Sequence, residues 1–462
     1  MEAVETKAAK RNGTKDMSVG SPMKLILGFA LPLLMGMLFQ QIYSLVDTVI
    51  VGRCLGMSAL AAVGATGSIN FLIIGFCLGM CSGFALPVAQ RFGAKDEAGL
   101  RKFVGNSAVL AAMIAVILTV VTVVLCRDIL QWMKTPEDII DLSYEYIVVI
   151  FAGIPATILY NLLSSYLRSL GDSVMPVVFL VMSAVLNVVL DLLFVITFEM
   201  GIFGAAFATV LAQAVSGVLS LIFIIKKREI LHPQKEDWVL DRDYVKTLIY
   251  MGLPMGFQYS ITAIGSVVLQ TAVNSLGSVA VASMTAAQKI SMFVVCPFDA
   301  LGSTMATYGG QNVGAGKLDR LSKGLLQAGI LGIAYSVIIL IVLYFCGDYL
   351  VYLFVSPEET LVVAQARQFL LINAVFYIPL VFVNEVRFLI QGMGYSGFAV
   401  FAGVFEMVAR ALVGLIFVPI FGYVAACFAS PMAWIFADAF LFPAYFIVLH
   451  RMKKQMEAGR LK

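Results

Sequence analysis

Residues 40–64 read QQIYSLVDTVIVGRCLGMSALAAVG. One apolar run ends here, a single acid interrupts it at Asp47, the chain turns over Gly52–Gly56, and a second apolar run begins. A carboxylate inside an apolar run is costly unless it has a partner or a task.

Outward from this stretch, long apolar runs make up most of the chain. Of its 462 residues, 61% are hydrophobic and 13% charged, against roughly 25% charged in soluble domains. No Asp, Glu, Lys or Arg occurs from Thr247 to Gln288. A membrane-spanning helix needs about 20 mostly apolar residues, and runs of this length fit helices rather than barrel strands. The expected fold class is an all-α integral membrane protein. Twelve spans are expected, near 22–51, 58–88, 102–126, 140–166, 174–198 and 201–225, then 245–273, 279–307, 322–346, 362–391, 396–419 and 422–449.

Lys and Arg crowd the tails and the loops on the N-terminal side, while the opposite loops hold only Arg53, Arg127 and Lys134. The positive-inside bias places both termini in the cytosol and the chain in the cytoplasmic membrane. The expected organisation is a cytosolic tail over 1–21, without the apolar core of a signal peptide, and a first set of six spans over 22–225. A cytosolic segment over 226–244 comes next, either a plain connector or an interfacial helix. It leads to a second set of six spans over 245–449 and a cytosolic tail over 450–462.

The two sets resemble each other at an offset near 221–224 residues. Leu31-Pro32 answers Leu253-Pro254, Leu55-Gly56 answers Leu276-Gly277, and Pro155 answers Pro379. The segment after span 2, Gln90-Arg-Phe-Gly-Ala-Lys, answers Gln311-Asn-Val-Gly-Ala-Gly-Lys, and GIFGAAFAT at 201–209 answers GYVAACFAS at 422–430. Six spans preserve orientation, so this is a parallel, pseudo-symmetric repeat of the kind found in transporters that alternate access between halves.

The signature QQIYSLVDTVIVGRCLG, the Gln90 and Gln311 loops, Arg168-Ser-Leu-Gly-Asp and NVVLDLLFV in span 5 give the chain a family likeness. Over essentially its whole length it resembles the multidrug and toxic compound extrusion (MATE) transporters. That resemblance implies twelve transmembrane helices in two six-helix lobes, and export of small organic compounds driven by inward H⁺ or Na⁺. It also implies that the coupling ion is held in the N-lobe, where the matching positions are Asp47, Asn187, Asp191 and Thr209. The second-lobe ion site of another branch is not matched, since Thr262 stands where that branch has a glutamate and Glu385 is displaced along span 10.

The residues themselves support the N-lobe set. At about 1.5 Å rise per residue, Asp47 falls roughly 6–9 Å inside the outer end of span 1. Asp191 falls roughly 10 Å into span 5, with Asn187 one turn deeper, and Thr209 about 12 Å into span 6. These groups therefore share one layer. Their carboxylate, amide and hydroxyl oxygens suit either a proton or a hard cation such as Na⁺ bound at Asp47 and Asp191, and the residues do not choose between the two. At the repeat offset Asp47 meets Val268, Asp191 meets Gly414 and Asn187 meets Arg410. The scaffold is duplicated and the acids are not, which argues for ion coupling over a buried polar cluster that serves folding alone.

Substrate contact is expected from Gln40, Gln41 and Tyr43 of span 1, Gln213 of span 6, and Lys289, Glu406 and Arg410 of the second half. The last three either pair with one another or form a polar side of the cleft suited to anionic or zwitterionic cargo. Glu385 and Arg387 are expected nearer the inner end, as a gate or surface pair. Seven cysteines lie mostly within apolar runs and show neither a disulfide framework nor metal spacing. The two histidines, His232 and His450, are both outside the spans. No nucleotide loop, metal cluster or nucleophile–base set is present, so neither an enzyme nor a cofactor is expected. The chain is expected to act as a monomer among membrane lipids without nucleic acid. The alternatives are a lipid-linked precursor flippase, an exporter of one specific metabolite, or a receptor that transports nothing.

Overall fold

The computed structural model of the chain describes residues 14–458; residues 1–13 of the expected N-terminal tail and 459–462 of the C-terminal tail lie outside them. The first half consists of α1 (Pro22–Ile50), α2 (Met57–Gly93), α3 (Glu97–Val124), the short α4 (Cys126–Trp132), α5 (Ile140–Ala152), α6 (Ile154–Ser169), α7 (Val174–Asp191) and α8 (Gly201–Lys227). The second half consists of α9 (Arg242–Asn274), α10 (Ser278–Gly314), α11 (Asp319–Val351), α12 (Thr360–Val375), α13 (Tyr377–Gly392), α14 (Ser396–Leu412), α15 (Val418–Phe421) and α16 (Tyr423–Glu457). Among the described residues, 10 helical segments are long and apolar enough to cross a membrane alone. The pairs α5–α6 and α12–α13, bent by 46° and 55°, bring the number to 12. The chain is an integral membrane protein of twelve transmembrane helices.

The repeat read from the sequence is also a repeat of backbone geometry. The bend at Gly153 is matched by the bend at Phe376. Gly56 and Gly277, Gly171 and Gly394, and Gly201 and Gly422 take positive φ at corresponding turns. At Gly171 the space as well as the backbone requires glycine, because a Cβ there would collide with the main chain of Lys15. Span 5 ends in a π-helical turn at Leu192–Thr197, and span 11 at Val413–Phe417. A third π-turn, Val51–Leu55, ends span 1, whereas its counterpart α9 runs as α-helix to Asn274.

Packing divides the described chain into two compact units. One takes residues 14–16 and 35–256, the other 17–34 and 257–458. The boundaries fall inside α1 and α9, close to Pro32 and Pro254, rather than at the 226–244 connector. The first fifteen residues of α9 group with the first unit because Gly252 and Gly256 lie against Phe84 and Phe76 of α2. The connector contains two 3₁₀ turns, Glu229–Leu231 and Lys235–Trp238, in place of a longer interfacial helix. It is fastened to α3 by Asn106, whose amide donates to the Asp237 and Val239 carbonyls at 3.2 and 3.3 Å. The Asn106 amide oxygen accepts from the Asp241 N–H at 2.8 Å.

In the first unit, α2 packs on α6 and α8 packs on α5, α6 and α7. Cys77, Met80, Cys81, Phe84, Phe151 and Leu167 are among the buried core residues. In the second unit the corresponding pair, α10 and α13, forms the most extensive helix contact, and α16 packs on α12, α13 and α14. Small residues set the close approach here, as is usual between helices in a membrane. A Cβ on Gly392 of α13 would collide with the Ala306 carbonyl of α10. Outward faces such as Val116, Ile117, Val120 and Val124 of α3 remain exposed, as a lipid-facing surface requires.

Candidate functional site

Four helices of the first unit bring their polar residues to one place. Span 1 supplies Asp47 one turn before its π-turn, and span 5 supplies Asp191 directly before its own. π-Turns rotate the helix register and recur at functional sites. Asn187 and Asp191 are buried, at 1% and 0% exposure, one turn apart on one face of α7. With the amide of Asn187 oriented to satisfy both ends, its nitrogen donates to Asp191 Oδ2 at 2.9 Å, and its oxygen accepts from the Thr209 N–H at 3.1 Å. The Thr209 hydroxyl donates to the Ala205 carbonyl at 3.2 Å.

The Asp47 and Asp191 side chains lie within hydrogen-bonding reach of each other. Oδ1 of Asp47 and Oδ1 of Asp191 are both buried without a hydrogen-bond partner. Two carboxylates held this close repel unless a proton or cation sits between them. The Asn187 amide fixes Asp191 and leaves one oxygen of each acid available for that role. All four residues read from the sequence as one layer thus meet in one cluster.

Two tyrosines complete it. Tyr43, expected as a substrate contact, reaches Thr209 and neighbours both acids. Tyr146 of α5 neighbours Asp47, Asp191 and Tyr43 and is buried at 8% exposure. Nothing in the sequence distinguishes Tyr146 from other aromatic residues of that span; its depth in span 4 is the one available signal. Among the described residues, no group of three or more His, Cys, Asp or Glu side chains forms a metal cluster.

The remaining candidates separate. Gln40 is exposed and Gln41 half-buried on α1. Gln213 accepts from the Thr157 hydroxyl at 2.5 Å, joining α8 to α6. In the second unit Arg410 Nη2 donates to Glu406 Oε2 at 3.3 Å, one turn apart on α14. Their third member is not Lys289, which is half-buried on α10 and in no ion pair among the described residues. Arg387 of α13 takes that place and donates to Glu406 Oε1.

Arg387 and Glu385 therefore form no gate or surface pair. Arg387 is buried and committed to Glu406. Glu385 is at 0% exposure and faces Gly329 and Gly332 of α11, with neither carboxyl oxygen hydrogen-bonded. Depth counting along the helix puts both near the inner end. It cannot show that the long arginine stem carries its charge to a residue on the next helix. Nearby, Asn384 donates to Asp299 at 3.1 Å and Gln391 to Gln258 at 2.6 Å.

A twelve-helix bundle built on a duplicated six-span scaffold has the build of a transporter. The MatE family profile matches residues 32–193 and 254–416, one match in each half. The chain belongs to the MATE family of transporters. It is 29% identical over 347 residues to the probable multidrug resistance protein YoeA of Bacillus subtilis, covering 73% of this chain and 74% of that one. It is 24% identical over 357 residues to an FAD transporter of Shewanella oneidensis, covering 76% and 78%. Among solved structures, a crystal structure of a MATE protein in complex with MaL6 has the same fold. The TM-score is 0.89, over 95% of this chain and 99% of that one, at 23% identity.

Proposed function

We propose that this chain is a secondary antiporter of the cytoplasmic membrane, with both termini in the cytosol. It exports small organic compounds while H⁺ or Na⁺ moves inward. The carrying observation is the contact between Asp47 and Asp191, inside the apolar body of the first unit, with one unsatisfied oxygen on each acid. A proton or a Na⁺ ion arriving from outside relieves the repulsion between the two carboxylates. Its loss to the cytosol restores that repulsion, which gives two states whose balance the ion controls. Asp47 sits just before the π-turn at Val51–Leu55, so the outer part of span 1 is the element the ion biases. Access of the cargo then alternates between the two faces of the membrane. The relatives named as multidrug resistance proteins support a broad cargo range. The FAD transporter among them supports the second reading, export of one specific metabolite.

The test is uptake of a fluorescent organic probe into inverted membrane vesicles under imposed H⁺ or Na⁺ gradients. The wild-type protein accumulates the probe with one gradient and stops when that gradient is collapsed. Asp47→Asn retains the size and hydrogen-bonding surface of the side chain but cannot change charge, and its uptake falls to the level of empty vesicles. Uptake at the wild-type rate by Asp47→Asn, still against a gradient, would remove the coupling role.

A further inference from the structure

The second unit contains a charge cluster that the coupling reading leaves unused. Arg387 and Arg410 share a single carboxylate, Glu406, so the triad has two positive charges against one negative. All three side chains are buried, at 7%, 10% and 5% exposure. Glu406 occupies one edge of each guanidinium. Arg387 Nε and Arg410 Nη1 are buried and make no hydrogen bond. Asp299 and Asp438 also lie within electrostatic range of Arg387. Asp299 is engaged by Asn384, and Asp438 Oδ1 is itself unpartnered.

A buried guanidinium with an unmet donor is unfavourable, and an anion bound between the two arginines would fill both open donors at once. The scaffold does not require the triad. At the 223-residue offset set by Gly171 and Gly394, Arg387, Glu406 and Arg410 correspond to Ser164, Ser183 and Asn187. The charges belong to the second half alone, as Asp47 and Asp191 belong to the first.

We propose that Arg387 and Arg410 form the binding site for an anionic group, a carboxylate or a phosphate, on the exported compound. Glu406 is the internal anion that holds the two guanidiniums together when no cargo is bound. Two planar guanidiniums whose free N–H groups are unpaired offer charge-assisted, fork-like hydrogen bonds matched to either anion. The cargo anion and Glu406 compete for the same pair of charges, so cargo binding loosens the Arg387–Glu406 link between α13 and α14. This assignment rests on the export reading above and specifies the cargo as an organic anion or zwitterion.

Three probes of one ring system separate the possibilities: 4-methylumbelliferone, its phosphate ester, and 7-hydroxycoumarin-3-carboxylic acid. Binding to the purified full-length protein in detergent is measured by equilibrium dialysis. At least one of the two anionic probes is expected to bind about tenfold more tightly than the neutral one, and which of them does so identifies the anion. Arg410→Gln weakens that anion by a similar factor, and Arg410→Lys restores part of it. Glu406→Gln removes the competitor, and the anion then binds more tightly than to wild type. A purely structural triad gives the opposite sign, since losing Glu406 strands two buried cations and weakens all three probes together. Equal binding of neutral and anionic probes, or weaker anion binding in a monodisperse Glu406→Gln protein, overturns the assignment. These measurements need no ion gradient. Failure of gradient-driven uptake in vesicles would sink the export reading while leaving the signs of the dialysis result to be read independently.

Discussion

Asn187 holds the proposed coupling cluster together at the scale of single residues. Its amide is the group that both donates to Asp191 and accepts from the Thr209 backbone, linking α7 to α8 beside the acid pair. Asn187→Leu retains the volume but leaves Asp191 Oδ2 and the Thr209 N–H without that partner. Losing buried polar partners costs about 1–3 kcal/mol each, so a clear drop in the thermal midpoint in detergent is expected. Added Na⁺ or lowered pH should then stabilise the variant less than wild type, and an unchanged response would place Asn187 outside the site. The four polar residues were legible as a set because depth along a helix is proportional to residue count. Tyr146 was not, because an aromatic residue in a span is apolar by default and only its neighbours reveal its hydroxyl as part of a site.

At the scale of elements, the two π-turns that end spans 5 and 11 distinguish scaffold from mechanism. Both halves have the turn, at Leu192–Thr197 and Val413–Phe417, but only the first comes directly after an acid. Removing one residue from a π-turn lets the segment return to α-helical register, rotating the helix before the turn by about 100° relative to the residues beyond it. Deletion of Val195 should therefore misalign Asp191 with Asp47 and abolish the Na⁺- or proton-dependent thermal shift. Deletion of Leu415 at the matching place should leave that shift in place. Loss of the shift in both, or in neither, would show that the turn does not position the acid. Hydropathy found these spans and their ends within a few residues. It could not show the π-turns, since one extra residue per turn changes hydrogen bonding without changing composition.

For the whole molecule, the segment before α1 is fixed more firmly than its polar sequence implied. In the first unit the Lys15 N–H donates to the Leu170 carbonyl at 3.0 Å. In the second, the Met17 N–H donates to Gln311 Oε1 at 2.7 Å, Lys317 Nζ donates to the Ser18 carbonyl at 2.9 Å, and Arg320 Nη2 to the Gly20 carbonyl at 2.9 Å. Arg320→Ala should loosen residues 17–20, which Gln311 and Lys317 still hold, and speed tryptic cleavage after Lys15, monitored by mass spectrometry of the intact protein; cleavage at the wild-type rate would show that the arginine does not retain the segment. The loop motif at Gln311–Arg320, read from the sequence as a family feature, thus has a local task as the anchor for this segment.

The amino-acid sequence alone was enough for the membrane class, the twelve spans, the duplicated scaffold, and the layer shared by Asp47, Asn187, Asp191 and Thr209. Each of these depends on local hydropathy or on distance along a helix axis, and both are written residue by residue. Only the folded chain settled rotation about those axes and the reach of side chains between helices. Those put Tyr43 beside Thr209, Gln213 on Thr157, and Arg387 rather than Lys289 on Glu406. Such pairings come from how neighbouring helices pack, which no single span specifies.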